Sequence, residues 1–291
     1  ETITEIPVYG LYNIKSIKSV TFHSGITTVH NHSFNSCTNI KEVYVPDIGT
    51  YARVGAVNQS STLDTIYVDG EPLVNLVVPE GVTELPAKIF KNYKKLESAT
   101  ISASVKSIGD SAFEGCTNLK TITMAYGIES IGQKCFENCI TLEAVNVDSI
   151  ATLVNIKFKD MSSNPVTLAK NLYVGGEIAA DIVVPEGVTV INNYAFAGCN
   201  TFKTLVLPSS LEKIGVNAFT DESLEKVYAP SLEMWLEIDF EDKTSNPMAY
   251  AEELYINNEL FEELRMPEGV SVVKPYAFYG CDSLRKIIIT K

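Results

Sequence analysis

The stretch Ile108 to Leu119, IGDSAFEGCTNL, is followed 23 residues later by Ile131 to Leu142, IGQKCFENCITL, and this pair decides the fold. The same phrase surrounds Phe34, Phe90, Phe113, Phe136, Phe196, Phe219 and Phe278. The steps from Phe90 to Phe113, Phe113 to Phe136 and Phe196 to Phe219 are all 23 residues. A fixed period of this size is the signature of a solenoid, in which each repeat is one coil.

Reading outward from each phenylalanine shows what a coil needs. An aliphatic residue stands five before it: Val29, Leu85, Ile108, Ile131, Ile191, Ile214 and Val273. Others stand six, nine and eleven after it, as in Leu119, Ile122 and Met124, or Leu142, Val145 and Val147. The last two are spaced as the inward positions of a strand. Each coil is expected to hold a short strand, a turn, a second extended piece and a tight corner around the Phe. None of these can bury its apolar side alone; stacking buries them all, at about 4.8 Å per coil.

The ends follow the rule less strictly. Ile6, Leu11, Ile14, Ile17, Val20 and Phe22 occupy the repeat offsets with Leu11 in place of Phe, so residues 1–22 read as a degenerate first coil. Terminal coils are atypical because one side faces water. At the other end the strand Ile287 to Ile289 is flanked by Arg285, Lys286 and Lys291, charges that oppose edge pairing.

The spacing breaks in a second regular way. Gaps of 56, 60 and 59 residues separate Phe34 from Phe90, Phe136 from Phe196 and Phe219 from Phe278. They contain the related stretches IYVDGEPLVNLVVPEGVTEL (66–85), LYVGGEIAADIVVPEGVTVI (172–191) and LYINNELFEELRMPEGVSVV (254–273). Asp-Gly, Gly-Gly and Asn-Asn tolerate the positive φ of two-residue hairpin turns, so three β-hairpins are expected. Asp47, Ser149 and Ser231 stand where a helix N-cap belongs, before Ile48, Ile150 and Leu232. Ser163-Asn164-Pro165 and Ser245-Asn246-Pro247 read as the turns that end those helices. The helix-hairpin insertions span residues 46–75, 148–181 and 230–263. The first lacks the Ser-Asn-Pro tripeptide and is about four residues shorter.

No linker or low-complexity tract interrupts the ladder, so residues 1–291 read as a single β-rich α/β solenoid of about eight coils. No run of apolar residues is long enough to span a bilayer. The opening ETITEIP is not a signal peptide and reads as a processed or trimmed start. The net charge is −13, and fourteen acids against three bases fall between Asp221 and Glu268. Such a surface repels phosphate backbones, which excludes nucleic acid as a partner. It reads as a solvated acidic face; a calcium site at Asp239, Glu241 and Asp242 is the sharper alternative, although their spacing is not that of an EF-hand.

Cys37, Cys116, Cys139, Cys199 and Cys281 all stand three after the repeat Phe, where Tyr93 and Glu222 occupy the other two coils. A residue that recurs once per coil is a packing residue, so these thiols are expected to be buried and reduced, with a Cys116–Cys139 bridge as the alternative. Cys135 takes the place of the repeat Ala. His23, His30 and His32 lie in one early coil, where His30 and His32 could join Cys37 as metal ligands or as a thiol–imidazole pair. Cys37 occupies a buried ladder position and His32 aligns with polar residues such as Ser111 and Lys134, so the histidines read as surface residues of no chemical role. No nucleophile elbow, zinc helix or phosphate loop is present, and no catalytic residue, metal or cofactor is expected.

The phrases VVPEGVTVINNYAFAGCNTFKTLVL (183–207) and MPEGVSVVKPYAFYGCDSLRKIII (266–289) resemble the BspA-type leucine-rich repeat over nearly the whole chain. That resemblance implies a right-handed leucine-rich-repeat solenoid, found in secreted or cell-surface proteins of host-associated bacteria and some protists. Studied members are associated with adhesion to host matrix proteins or to other cells. Departures are Leu11 for Phe, a one-residue deletion before Leu224, and the insertions.

A solenoid carries function on the outward side chains of its sheet, which vary without disturbing the core. Eight and ten after each Phe stand Glu42 and Tyr44, Ser98 and Thr100, Thr121 and Thr123, Ala144 and Asn146, Thr204 and Val206, Lys226 and Tyr228, and Lys286 and Ile288. Tyr44, Thr100, Thr121, Thr123, Asn146, Thr204 and Tyr228 are the expected contacts for a protein ligand or, alternatively, a glycan. Tyr51, Leu153 and Trp235 align between insertions, as do Tyr67, Tyr173 and Tyr255. Repetition assigns both sets to packing the insertion onto its coil. The chain is thus expected to be a non-enzymatic extracellular binding module, with a structural spacer as the alternative.

Overall fold

Left-handed residues bracket the ladder positions. The residue two before has positive φ at Leu11 and at all seven phenylalanines: Tyr9, His32, Lys88, Ser111, Lys134, Tyr194, Asn217 and Tyr276. The residue two after does so at Asn13, Ser36, Asn92, Gly115, Asn138, Gly198 and Gly280. Left-handed conformations cost L-residues about 1–2 kcal/mol, and here they turn the chain sharply enough for the ring to point inward from its corner. At Gly115 a side chain would also clash, because an added Cβ would stand 2.3 Å from Asn92 Oδ1. Leu11 keeps the same corner, so the first coil departs in its ladder residue and not in its backbone.

The computed structural model describes residues 2–30, 32–55, 63–220 and 223–289. Glu222 and Lys291, assigned above to a thiol position and an edge guard, lie outside them. The chain forms two compact units, Glu1–Val145 with Lys159–Leu168, and Asn146–Phe158 with Ala169–Lys291.

In the first unit the parallel strands Ser19–Thr21, Glu42–Val45 and Thr65–Val68 form one sheet, closed by antiparallel Glu71–Pro72. Asn75–Val77 begins another, in register with Ser98–Ile101 and Thr121–Met124. Glu84–Leu85, Ser107–Ile108 and Ser130–Ile131 make a narrow opposite wall. Between the walls lie Leu119, Ile122 and Met124, fully buried as their spacing requires. Phe90, Phe113 and Phe136 stack with centroids 5.3 Å apart at interplanar angles of 19° and 3°. The corners are tied by backbone bonds from Phe90 N–H to the Ala112 carbonyl (2.8 Å) and from Phe113 N–H to that of Cys135 (2.9 Å).

The second unit repeats the plan. Asp181–Val183, Thr204–Val206, Lys226–Ala229 and Glu253–Ile256 run parallel, closed by Glu259–Leu260. Val190–Ile191, Lys213–Ile214 and Asp239–Phe240 form the narrow wall, and Phe196 stacks on Phe219 at 5.5 Å. Glu263–Arg265 starts a further sheet with Lys286–Ile288. There Ile287, inward by register, remains 59% exposed at the edge, and Arg285 and Lys286 pair with Glu262 and Glu263 of the preceding coil.

All three hairpins form. Each turn has two residues of positive φ, namely Asp69 and Gly70, Gly175 and Gly176, and Asn257 and Asn258. The helices Ile48–Val54, Ile150–Asn155 and Leu232–Glu237 follow their expected N-caps. Asp47 and Ser231 accept from the Thr50 and Met234 amides, while Ser149 has the extended N-cap backbone without that bond.

The tripeptides differ from expectation. The third helix ends at Glu237, and Ser245-Asn246-Pro247 comes eight residues later, after Asp239–Phe240 has joined the narrow wall. Ser245 falls five after Phe240, where a coil places its phenylalanine. The insertion is therefore a coil of its own with a rebuilt corner: buried Asn246 accepts from Met248 N–H, starts the 3-10 turn Pro247–Ala249, and donates to the Tyr276 and Ala277 carbonyls. Asn164 caps Pro165–Thr167 in the same way. Proline here opens a turn, its missing amide costing nothing at a first helical position.

Candidate functional site

The ladder chemistry is structural. All six cysteines are free and buried. The thiols of Cys37, Cys116 and Cys139 donate to the carbonyls of Leu11, Phe90 and Phe113, in each case the ladder residue one coil earlier. Burial pushes the Cys116 and Cys135 thiols well up and that of Cys139 up to about 12, which leaves them protonated and unreactive. Tyr93, standing at a cysteine position, instead sends its hydroxyl to the Leu73 carbonyl.

The early histidines are likewise occupied. His23 Nδ1 accepts from the Gly25 amide, so its Nε2–H donates to the Ile3 carbonyl. His30 meets Glu5 at 2.8 Å, and His32 is a left-handed corner residue stacked on Tyr9. Cys37 is bonded elsewhere, so no thiol–imidazole pair forms. Nor do the carboxylates proposed for calcium converge. Glu241 pairs with Lys213, and Asp242 accepts from Thr244 and Ser245; no metal-holding cluster occurs among the described residues.

The outward sheet face is organised by register. In the second unit Val183, Val206, Tyr228, Tyr255 and Leu260 stand side by side on five adjacent strands. They make an unbroken apolar row on the solvent side, with Val183 57% and Leu260 41% exposed. Asp181, Thr204, Lys226 and Glu253 form a polar rail beside it. Tyr228 and Tyr255 stack at 4.6 Å, and the Tyr255 hydroxyl donates to Glu253, a bond that raises its pKa.

In the first unit Tyr44 and Tyr67 stack at 4.5 Å and 4°, with Thr21 and Pro72 on either side. The Tyr44 hydroxyl donates to Glu42, and partial burial followed by that carboxylate raises its pKa. In the neighbouring sheet Thr100 lies between exposed Val77 and Thr123, while Thr121 lies beside Ser98, whose hydroxyl reaches Asn75.

The seven expected contacts all point outward, in separate groups. Thr100, Thr121 and Thr123 share a hydroxylated patch, Tyr44 belongs to another sheet of the same unit, and Thr204 and Tyr228 sit on the rail and row of the second unit. Asn146 is half-buried in Ala144–Val147. Tyr51, Leu153 and Trp235 are fully buried, as packing requires. Tyr67, Tyr173 and Tyr255 are each the third residue of a sheet strand, half-buried and facing out; Tyr67 and Tyr255 do pack the insertion onto its coil, by stacking on Tyr44 and Tyr228, but on the outward face and not in the core. The signal lay in the four-residue strings EVYV, TIYV, NLYV, KVYA and ELYI, which align only when the insertion is read as a coil.

The family model described as BspA type leucine rich repeat region, in six copies, matches residues 1–72, 69–165, 166–239 and 250–291. No curated protein matches the sequence. Among solved structures, the chain is similar to a leucine rich cell surface protein of Faecalibacterium prausnitzii (19% identity, 98% of this chain and 82% of that one, TM-score 0.39). It is also similar to the pneumococcal vaccine antigen PcpA (18% identity, 100% and 85%, TM-score 0.41).

Proposed function

The chain belongs to the BspA-type leucine-rich repeat family, and from that premise we propose that it is a non-enzymatic, adhesin-like module that recognises a protein through its outward sheet face. The observation that carries this reading is the row Val183–Val206–Tyr228–Tyr255–Leu260. A solvated sheet face normally alternates polar-out, and contiguous apolar side chains there are what a partner covers. Tyrosines bring large contact area at low entropic cost, and the rail supplies the polar rim. The setting is extracellular or cell-surface, with a host matrix or cell-surface protein as ligand.

The titration pattern favours binding over hydrolysis. Among the described residues each carboxylate with a displaced pKa is lowered, Asp64 by Lys95, Glu225 by Lys203, Glu263 by Lys286, and Glu186 and Asp242 by Ser209 and Thr244. In Glu114 burial opposes the shift, and Lys91 and Ser111 together with Lys134 outweigh it. A hydrolytic general acid needs the opposite displacement.

The test is a screen of the immobilised protein against matrix proteins and glycans, repeated with Tyr228→Ser/Tyr255→Ser. Loss of two hot-spot aromatics should weaken binding by about 30-fold or more. Unchanged affinity of the double variant for every ligand found would overturn sheet-face recognition, and an empty screen with folded protein would favour a spacer.

A further inference from the structure

The two tyrosine pairs occupy the same register but differ in what stands beside them. In the second unit Lys226 lies opposite Glu253 where Tyr228 lies opposite Tyr255. Lys226 Nζ sits 3.9 Å from the Glu253 carboxylate and 5.9 Å from the centre of the Tyr255 ring. That aromatic-carboxylate corner holds a cation of the chain's own. In the first unit Glu42 takes the place of Lys226 and Thr65 the place of Glu253, while Tyr44 and Tyr67 keep theirs. The ring pair and one carboxylate remain, and the lysine does not.

We propose that Glu42 with the Tyr44–Tyr67 pair is a receptor for a basic side chain, arginine or lysine, presented by the protein partner; the inference rests on the sheet-face reading above. The Tyr44 hydroxyl orients the carboxylate by donating to one of its oxygens at 3.1 Å. No described lysine or arginine pairs with Glu42, and nearby Lys95 is held by Asp64 and Thr65. A guanidinium fits this chemistry because it can pair with the carboxylate while lying against an aromatic ring. The net charge of −13 would draw such a partner in. Lys226 shows a cation held beside a carboxylate and a tyrosine ring within the chain, there with the carboxylate on the other strand of the pair.

The experiment is calorimetric titration of the whole protein with a capped hexaarginine peptide, at about 0.15 M ionic strength so that long-range attraction is screened. Wild type should show one site, and Glu42→Gln and Tyr67→Ser should each weaken it by about tenfold. Glu42→Lys, which supplies an internal cation, should abolish it. Glu84→Gln, an exposed carboxylate of the narrow wall, should leave it unchanged. Lys226→Ser should vacate the second pair and raise the stoichiometry from one to two.

Absence of binding, or equal binding by Glu42→Gln, Tyr67→Ser and Glu84→Gln, would overturn the proposal, the latter by reducing it to net charge. A stoichiometry unchanged by Lys226→Ser would also count against it. Recognition of the protein through the Tyr228/Tyr255 row is judged separately, with the partner itself.

Discussion

Phe113 is the position at which the ladder can be tested as a physical object. Its ring is fully buried and stacked on both sides, 5.3 Å from Phe90 and 5.3 Å from Phe136. Truncation to alanine removes the ring and leaves a cavity, and Phe→Ala in packed cores costs about 3–5 kcal/mol. Phe113→Leu keeps most of the volume but forfeits two ring contacts of about 0.5–1.5 kcal/mol each, so it should cost about 1–3 kcal/mol. Urea unfolding followed by circular dichroism gives the totals, and hydrogen exchange gives the location. Because a coil contacts only its neighbours, protection should fall at the Phe90 and Phe136 amides and stay unchanged around Phe196 and Phe219. A leucine variant as stable as wild type would refute the stacking argument and leave only volume. An alanine variant costing under about 1 kcal/mol would refute the packing role as well.

Three further expectations can be checked in the same assays. Tyr51→Phe should lose about 1 kcal/mol, the net worth of the hydrogen bond that its buried hydroxyl donates to the Ile89 carbonyl at 2.9 Å. Asn246→Ala should cost more, about 3 kcal/mol or above, since one buried side chain accepts from Met248 and donates to two carbonyls; a change under about 1 kcal/mol would show that corner to be replaceable. Stability should fall as pH rises above about 9, where the unfolded chain loses thiol protons that buried Cys116, Cys135 and Cys139 retain. The unfolded state then binds fewer protons than the folded one, so each group removes about 1.4 kcal/mol per pH unit, until the folded thiol itself ionises, at about 12 for Cys139. Below pH 9 these groups contribute no slope, and a flat alkaline limb in urea titrations would refute their burial.

Much of the fold was legible because the 23-residue phrase carries its own explanation. The residue at offset nine had to be buried, and Ile122 is. Asp-Gly, Gly-Gly and Asn-Asn had to turn, and they do. The insertions were harder to read, because alignment on phenylalanine hides a coil whose corner has none. Ser245 at that place is small, and buried Asn246 rebuilds the corner with hydrogen bonds that leave no periodic trace. Recurrence likewise marked Tyr67 and Tyr255 as packing residues, which their stacking on Tyr44 and Tyr228 bears out, without saying that they face the outer side of the sheet. The site was legible as a face and not as a row. Tyr228 and Thr204 were placed outward, but the run from Val183 to Leu260 depends on strand register across a hairpin.

The hairpins also solve a counting problem. Coils this alike could dock one step out of frame during folding, with nearly every apolar contact still satisfied and little energy separating the slipped arrangement from the native one. A hairpin cannot close one coil early, since its antiparallel strand pairs only with the strand that precedes its own turn, as Val68 does with Glu71 and Ile256 with Glu259. Each therefore acts as a punctuation mark. An error made in one run of coils ends at the next hairpin, and a chain of near-identical parts acquires a single reading frame.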